Sequence, residues 1–204
     1  PLRKFGAVVI IGFLLSTLLL GATAAEAPAQ NSFDRQIIDL TNQHRASIGR
    51  APLATSSSLS SASLSWSQTM LRTGNFRHDP NLGNFGENIA YSQGPVGITI
   101  GVSWPTSAGP LPSYCRSRMD YTTAEFVMCQ WLSSSGHRRA IESSSYRQIG
   151  VGTATNNSTN SRLTYSTMRF SSATPPPPAP TATFTSPANN GRLCTGQTIS
   201  WSGP

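Results

Sequence analysis

The chain has 204 residues, of which 37% are hydrophobic and only 11% charged, with a formal net charge of +7. That composition places most of it in the globular class, with enough apolar residues for one ordinary domain plus appendages. Lys4 is the only lysine, so the positive charge rests on scattered arginines. No recognised binding motif accompanies them, which argues against nucleic acid and for anionic cell-wall polymers or lipid surfaces as what the charge meets.

At the N-terminus, Arg3 and Lys4 precede an apolar run from Ala7 to Leu20, followed by small residues through Ala27. This is the layout of a secretory signal peptide over residues 1–27, with cleavage after Ala25 or Ala27. The run is shorter than the about 20 residues needed to cross a bilayer, so no membrane span is expected after cleavage. The absence of a cysteine near the cleavage zone argues against a lipoprotein anchor, and the chain is expected to be secreted, to the extracellular space or cell surface. The sequence starts with Pro1 rather than Met and reads as incomplete at that end.

Helical spacing begins near Phe33, with Ile37, Leu40, Thr41, His44 and Ile48 on one face and Gly49 as a stop. A second helix is expected from Leu59 to Thr73, with an apolar stripe of Leu59, Ala62, Trp66, Thr69 and Met70, ended by Gly74. Residues 75–111 are rich in Gly, Asn and Pro and read mostly as loop. Thr122 and Glu125 form a candidate capping box for a third helix with Ala124, Val127, Met128, Trp131 and Leu132 on one face. Gly136 is placed to end it, and His137 falls in a short turn through Ile141.

Two strands follow, Ile149–Thr155 and Leu163–Phe170, joined by a hairpin loop over Asn156–Ser161. Of the three cysteines, Cys115 and Cys129 are the plausible disulfide in an oxidising compartment, closing a loop worth about 3 kcal/mol in the chain-entropy model. The alternative is three free thiols. Residues 173–182 form a stiff proline-rich linker. Residues 183–204, with Cys194 and Trp201, read as the truncated start of an Ig-like β domain, too short to fold alone.

Five segments in order resemble one family: Asn42 and Arg45 in the first helix; Pro52-Leu53 with the Leu59/Ala62/Trp66 pattern; Phe76-Arg-His78 followed by Gly86-Glu-Asn-Ile-Ala90; Trp131-Leu-Ser-Ser-Ser-Gly-His137-Arg138; and Ile149-Gly-Val-Gly152. Together they resemble the bacterial branch of the cysteine-rich secretory/antigen five/pathogenesis-related (CAP, or SCP-like) superfamily. The resemblance implies an α+β fold over residues 28–172: a three-layer α-β-α sandwich around a small, largely antiparallel sheet.

The resemblance also implies a central cleft lined by two histidines and two glutamates. His78 and Glu87 match that set directly. Ser134 stands where the family's second glutamate lies, and His137 matches the bacterial pattern one turn further on. Thr164-Tyr-Ser-Thr167 replaces the run carrying the family's second histidine. The cleft set expected here is therefore His78, Glu87, His137 and Ser134.

Imidazole and carboxylate groups suit zinc, so His78 and His137 are candidate metal ligands and Glu87 a candidate catalytic base. Each residue also has a plainer reading. Glu87 can accept backbone N–H bonds, His78 can anchor its loop, and His137 can cap a helix end. His44 is expected to pack rather than ligate, Asn42 to serve backbone bonds, and Arg45 to form a buried ion pair. No Gly-x-Ser-x-Gly elbow, His-Glu-x-x-His pair or phosphate loop is present.

Three functions remain open at this point. The first is a non-enzymatic binding module for a sterol, fatty acid or other apolar ligand, or for a cell-wall or surface partner. The second is a metal-assisted hydrolase of peptidase type using His78, Glu87 and His137. The third is a structural spacer or adhesin of a larger surface protein.

Overall fold

The computed structural model describes residues 31–157 and 161–177. The expected signal peptide, the Ig-like start with Cys194, and the linker from Pro178 onward lie outside the described residues.

The first helix, α1, spans Ser32–Ser47 behind Asn31, whose side chain accepts the Asp34 N–H at 2.8 Å. It buries Ile37, Ile38, Leu40, Thr41 and His44. Ile48, expected on the same stripe, is instead exposed, because the helix has ended and the chain turns through Gly49 at φ 72°. A short strand, β1 (Ala54–Thr55), leads into α2 (Ser57–Thr73), which closes on Gly74 in the left-handed conformation.

The buried face of α2 is not the expected apolar stripe. Leu59, Ser63, Ser67 and Met70 point inward, while Ala62, Trp66 and Thr69 sit at the margin. The cause lies across the interface. The strands β5 (Gln148–Asn157) and β6 (Arg162–Ser171) form an antiparallel hairpin, and β5 presents Gly150 and Gly152 to the helix. A methyl group on Gly152 would sit 2.1 Å from the Leu64 backbone nitrogen, and one on Gly150 would sit 2.3 Å from that of Ser60. The helix backbone rests directly on the sheet, so only small residues fit between them. Ser63 and Ser67 donate to the Gly150 and Gly152 carbonyls at 3.2 and 2.7 Å.

Within 75–111, read as loop, stands a nine-residue strand, β2 (Gly86–Gly94), paired antiparallel with β6 from Gly86↔Phe170 to Gly94↔Arg162. Its Gly, Asn, Ser and Gln residues have low strand propensity, and the ladder holding it lies far along the chain. The main sheet has the order β1-β5-β6-β2, with β1 parallel to β5 and the rest antiparallel. A separate ribbon pairs β3 (Thr99–Gly101) with β4 (Arg118–Asp120).

Helix α3 spans Ala124–Leu132, and its cap is Thr123 rather than Thr122. Asp120 takes Thr122 away from that role, accepting from its backbone N–H and hydroxyl at 2.8 and 2.7 Å. Glu125 accepts instead from Gln36 of α1 at 2.7 Å. Gly136 does not end this helix. The chain breaks earlier, at Ser133, and resumes as α4 (Ser135–Glu142), so His137 lies in a helix and not a turn. Cys115 and Cys129 form a disulfide with Cα atoms 5.6 Å apart.

Strand alternation divides the core into two faces. Ile149, Val151, Met168 and Phe170 pack with Ile37, Ile38, Trp131, Leu132 and Ile141 of the helices on one side. On the other, Ile89 and Tyr165 pack with Met70 and Trp66 of α2. This is the α-β-α sandwich expected. Asn42 binds the Leu53 backbone through both amide atoms, as anticipated. Among the described residues Arg45 forms no ion pair. Its buried guanidinium donates to the carbonyls of Ala51, Ile141 and Ser143 at 2.6–2.9 Å, where unpaired carbonyls at a helix end need donors.

The close approach of α2 to β5 yields a direct test. Gly152→Ala should lower stability by about 1–3 kcal/mol, the usual cost of forcing extra volume into a packed interface. Gly101→Ala, whose added carbon would meet nothing within 4 Å, is the control. Urea midpoints measure both, and equal midpoints would show that the helix can lift off the sheet without cost.

Candidate functional site

The free edge of the main sheet organises the site. β2 pairs with β6 on one side only, so its outward carbonyls need donors from elsewhere. Trp131 Nε1 donates to the Ile89 carbonyl at 2.9 Å, and Gln130 Nε2 to that of Tyr91 at 3.1 Å. The Asn88 amide reaches the His137 carbonyl at 3.1 Å. Side chains of α3 and of β2 itself thus bind the strand edge to α3 and α4, which sets His137 against it.

On the α2 face, cross-strand register places Glu87 opposite Arg169, and Tyr91 opposite Tyr165. The segment leaving α2 lays His78 and Asp79 over this end of the sheet. His78 Nδ1 donates to Glu87 Oε1 at 2.8 Å, and the Asp79 backbone N–H donates to the same oxygen at 3.1 Å. Arg169 Nη2 lies 2.5 Å from Asp79 Oδ2 and 3.3 Å from Glu87 Oε2. The Glu87 side chain is fully buried, whereas that of His78 is 58% exposed. Glu87 therefore pins the loop through a backbone bond and also orients an accessible imidazole.

His137 lies near enough to His78 for their charges to repel, yet no hydrogen bond joins it to His78 or Glu87. Burial, and then His78, lowers the pKa of His137 below its ordinary value of 6.5. Its Nδ1 is buried with no hydrogen-bond partner among the described residues. Ser134 is the N-cap of α4 and makes no capping bond through its side chain.

Beside His137 lies a hollow of about 240 Å3, floored by Ile89, Ala90 and Trp131 and flanked by Phe76, Tyr91 and Gln130. Phe76 is 49% exposed and Tyr91 38% exposed. Their rings stand 6.1 Å apart, and Tyr91 also contacts Tyr165 at 5.3 Å. Sequence reasoning missed Asp79, Arg169, Tyr91 and Gln130. Only the β2–β6 register and the contacts of α3 with the sheet edge bring them in, although Phe76 stood within a motif already singled out.

The residues do not fit a zinc site built on His78, Glu87 and His137. Among the described residues, no three His, Cys, Asp or Glu side chains are arranged to hold a metal ion. Glu87 Oε1 is already taken by His78 and Asp79, while buried Oε2 lies 3.3 Å from Arg169 Nη2 and accepts no hydrogen bond among the described residues. No step through a metal is derived.

These features describe an α-β-α domain with an imidazole–carboxylate pair and an aromatic hollow at its sheet edge. Residues 38–170 match the sequence model of the cysteine-rich secretory protein (CAP) family, and the chain belongs to that family. It is 26% identical over 132 residues to the uncharacterized protein YkwD of Bacillus subtilis strain 168, a match covering 64% of this chain and 46% of that protein. The chain thus spans less than half the length of that relative. Among solved structures, an extracellular protein containing an SCP domain from Bacillus anthracis is similar at 21% identity and a TM-score of 0.47, over 69% of this chain and 40% of that one. An outer surface protein of Borrelia burgdorferi is similar at 13% identity and a TM-score of 0.44, over 69% and 93% respectively.

The His137 imidazole should titrate below 6.5, followed through its ring resonances by NMR. Because its proton affinity is lower folded than unfolded, the contribution of this group to stability is present above about pH 6.5 and lost as pH falls through the folded value. His78→Asn should raise the His137 pKa only part of the way back, since burial is the larger cause. An unchanged titration in that variant would mean that the two rings do not sense each other.

Proposed function

We infer that this chain is exported and acts outside the cell as a non-enzymatic binding module, its sheet-edge hollow receiving an apolar group of a lipid-like ligand or surface partner. The observation that carries the reading is the pair of exposed aromatic rings, Phe76 and Tyr91, beside a hollow whose floor is apolar. Large exposed aromatics gathered at a concavity are what an apolar partner covers. The hollow is smaller than the about 300–1,000 Å3 of pockets that enclose a small molecule. It therefore grips the end of a sterol, an acyl chain or a partner side chain rather than swallowing a whole ligand.

Export is supported by the basic, apolar and small-residue layout of residues 1–27 and by the Cys115–Cys129 disulfide, which belongs to an oxidising compartment. The positive charge favours anionic surfaces near which such a module would work.

The folded protein, incubated with a lipid extract and recovered, should retain sterols or fatty acids above the level held by a denatured control. Phe76→Ala combined with Tyr91→Ala should weaken retention about tenfold or more, given about 1.5–3 kcal/mol for each large apolar side chain fully covered. Equal retention by the variant and the parent would remove the hollow as the binding site. Expression in an exporting host with N-terminal sequencing checks the other half, the expected mature start being Glu26 or Pro28.

A further inference from the structure

A second concavity, of about 390 Å3, is lined by neither His78 nor His137 and lies between the turn that follows α1 and the turn that joins α4 to β5. Arg45, Arg50 and Arg147 line it together with Ser144 and Tyr146, and no carboxylate is among its lining residues. Among the described residues none of the three arginines takes part in an ion pair, all of which involve His44, His78, Arg138 or Arg169. The acid nearest in sequence, Glu142, is already held by His44 and Arg138 at 2.8 and 3.2 Å.

The three guanidiniums differ in how they are held. Arg45 is fixed by three backbone carbonyls through Nε and Nη1. Arg147 is steadied by the Ser144 and Tyr146 carbonyls through Nη1. Arg50 makes no side-chain hydrogen bond among the described residues, its backbone N–H alone reaching the Arg45 carbonyl at 2.8 Å. Burial, followed by repulsion from Arg50 and Arg147, lowers the proton affinity of Arg45. Gathering like charges in one recess without a counter-charge is unfavourable, and an anion of matching shape relieves it.

We propose that this arginine recess is a binding site for a tetrahedral oxyanion, specifically a phosphate group with at least three free oxygens. Guanidinium groups offer forked N–H donors that match phosphate oxygens, and Ser144 adds a hydroxyl among the lining residues. Three arginines around one recess suit an anion with three oxygens to share among them, whereas a planar carboxylate has only two. The site is separate from the histidine hollow and stands whether or not that hollow binds an apolar group.

The test titrates the intact protein with inorganic phosphate, glycerol phosphate and acetate at fixed pH and ionic strength, reading the arginine side-chain N–H resonances by NMR. Saturable shifts of Arg50 and Arg147 with either phosphate, and none with acetate, are expected. Arg50→Gln should weaken phosphate binding about tenfold, as the loss of one charge-assisted contact does. Its thermal midpoint should not fall below that of the parent, because the Arg50 side chain bonds to nothing in the described fold and its loss relieves repulsion with Arg45. Arg50→Gln with Arg147→Gln should abolish saturation. Tighter binding of glycerol phosphate assigns the site to a phosphate ester, and equal or tighter binding of inorganic phosphate assigns it to the free anion. No saturable response in the parent, an equal response to acetate, or undiminished affinity in the folded Arg50→Gln protein would each overturn the proposal.

Discussion

The exposed carbonyls along one side of β2 impose the condition that the rest of the site obeys. An edge strand leaves a row of backbone acceptors that must be paired, covered or hydrated. Here Trp131 and Gln130 bond two alternate carbonyls, Ile89 and Tyr91, and so press α3 against the strand. Asn88 adds a bond outward to the His137 carbonyl. Because α4 begins just past the end of α3, fixing α3 also fixes where the His137 ring stands. The two histidines belong to opposite layers of the sandwich, and they approach each other because both layers meet at the free edge of the sheet.

The placement of His78 depends on the opposite face. Leaving α2, the chain reaches the sheet margin because that helix lies flat on Gly150 and Gly152, backbone against backbone. A side chain at either glycine would hold the helix away from the sheet and carry the following loop with it. The buried Glu87 then collects the imidazole, a backbone N–H and the Arg169 charge around one carboxylate. That carboxylate is shielded, and its Oε1 holds a loop and an imidazole in position.

Charge is distributed with a similar logic. Arg169 and Arg138 are buried and answer carboxylates, whereas Arg45 answers carbonyls at the end of α4. The difference gathers positive charge without a counter-charge around the turns beside Arg45, while Phe76 and Tyr91 leave apolar surface uncovered at the sheet edge. A basic chain thus carries two separate uncompensated places among its described residues, one electrostatic and one apolar.

Much of this could be read directly from the residue order. Ile37, Leu40, Thr41 and His44 at helical spacing, the two long strands, the Cys115–Cys129 pair, the backbone bonds of Asn42 and the burial of His44 are local patterns or consequences of burial, and they hold. Two of the errors share one cause. Trp66 and Thr69 looked inward-facing until the glycines of a distant strand required serines in their place. Residues 86–94 looked like loop because the ladder that makes them a strand is supplied by β6. The Thr122 error was local instead: Asp120, two residues earlier, engages that side chain and leaves the cap to Thr123. Periodicity and local chemistry determine which segments become helices and which residues are buried, since those depend on neighbours a few positions away. Tertiary structure alone decided the register that sets Arg169 beside Glu87 and Tyr91 beside Tyr165, and the gathering of three arginines around one recess. Those contacts join residues far apart in the chain, where no local periodicity can carry the information.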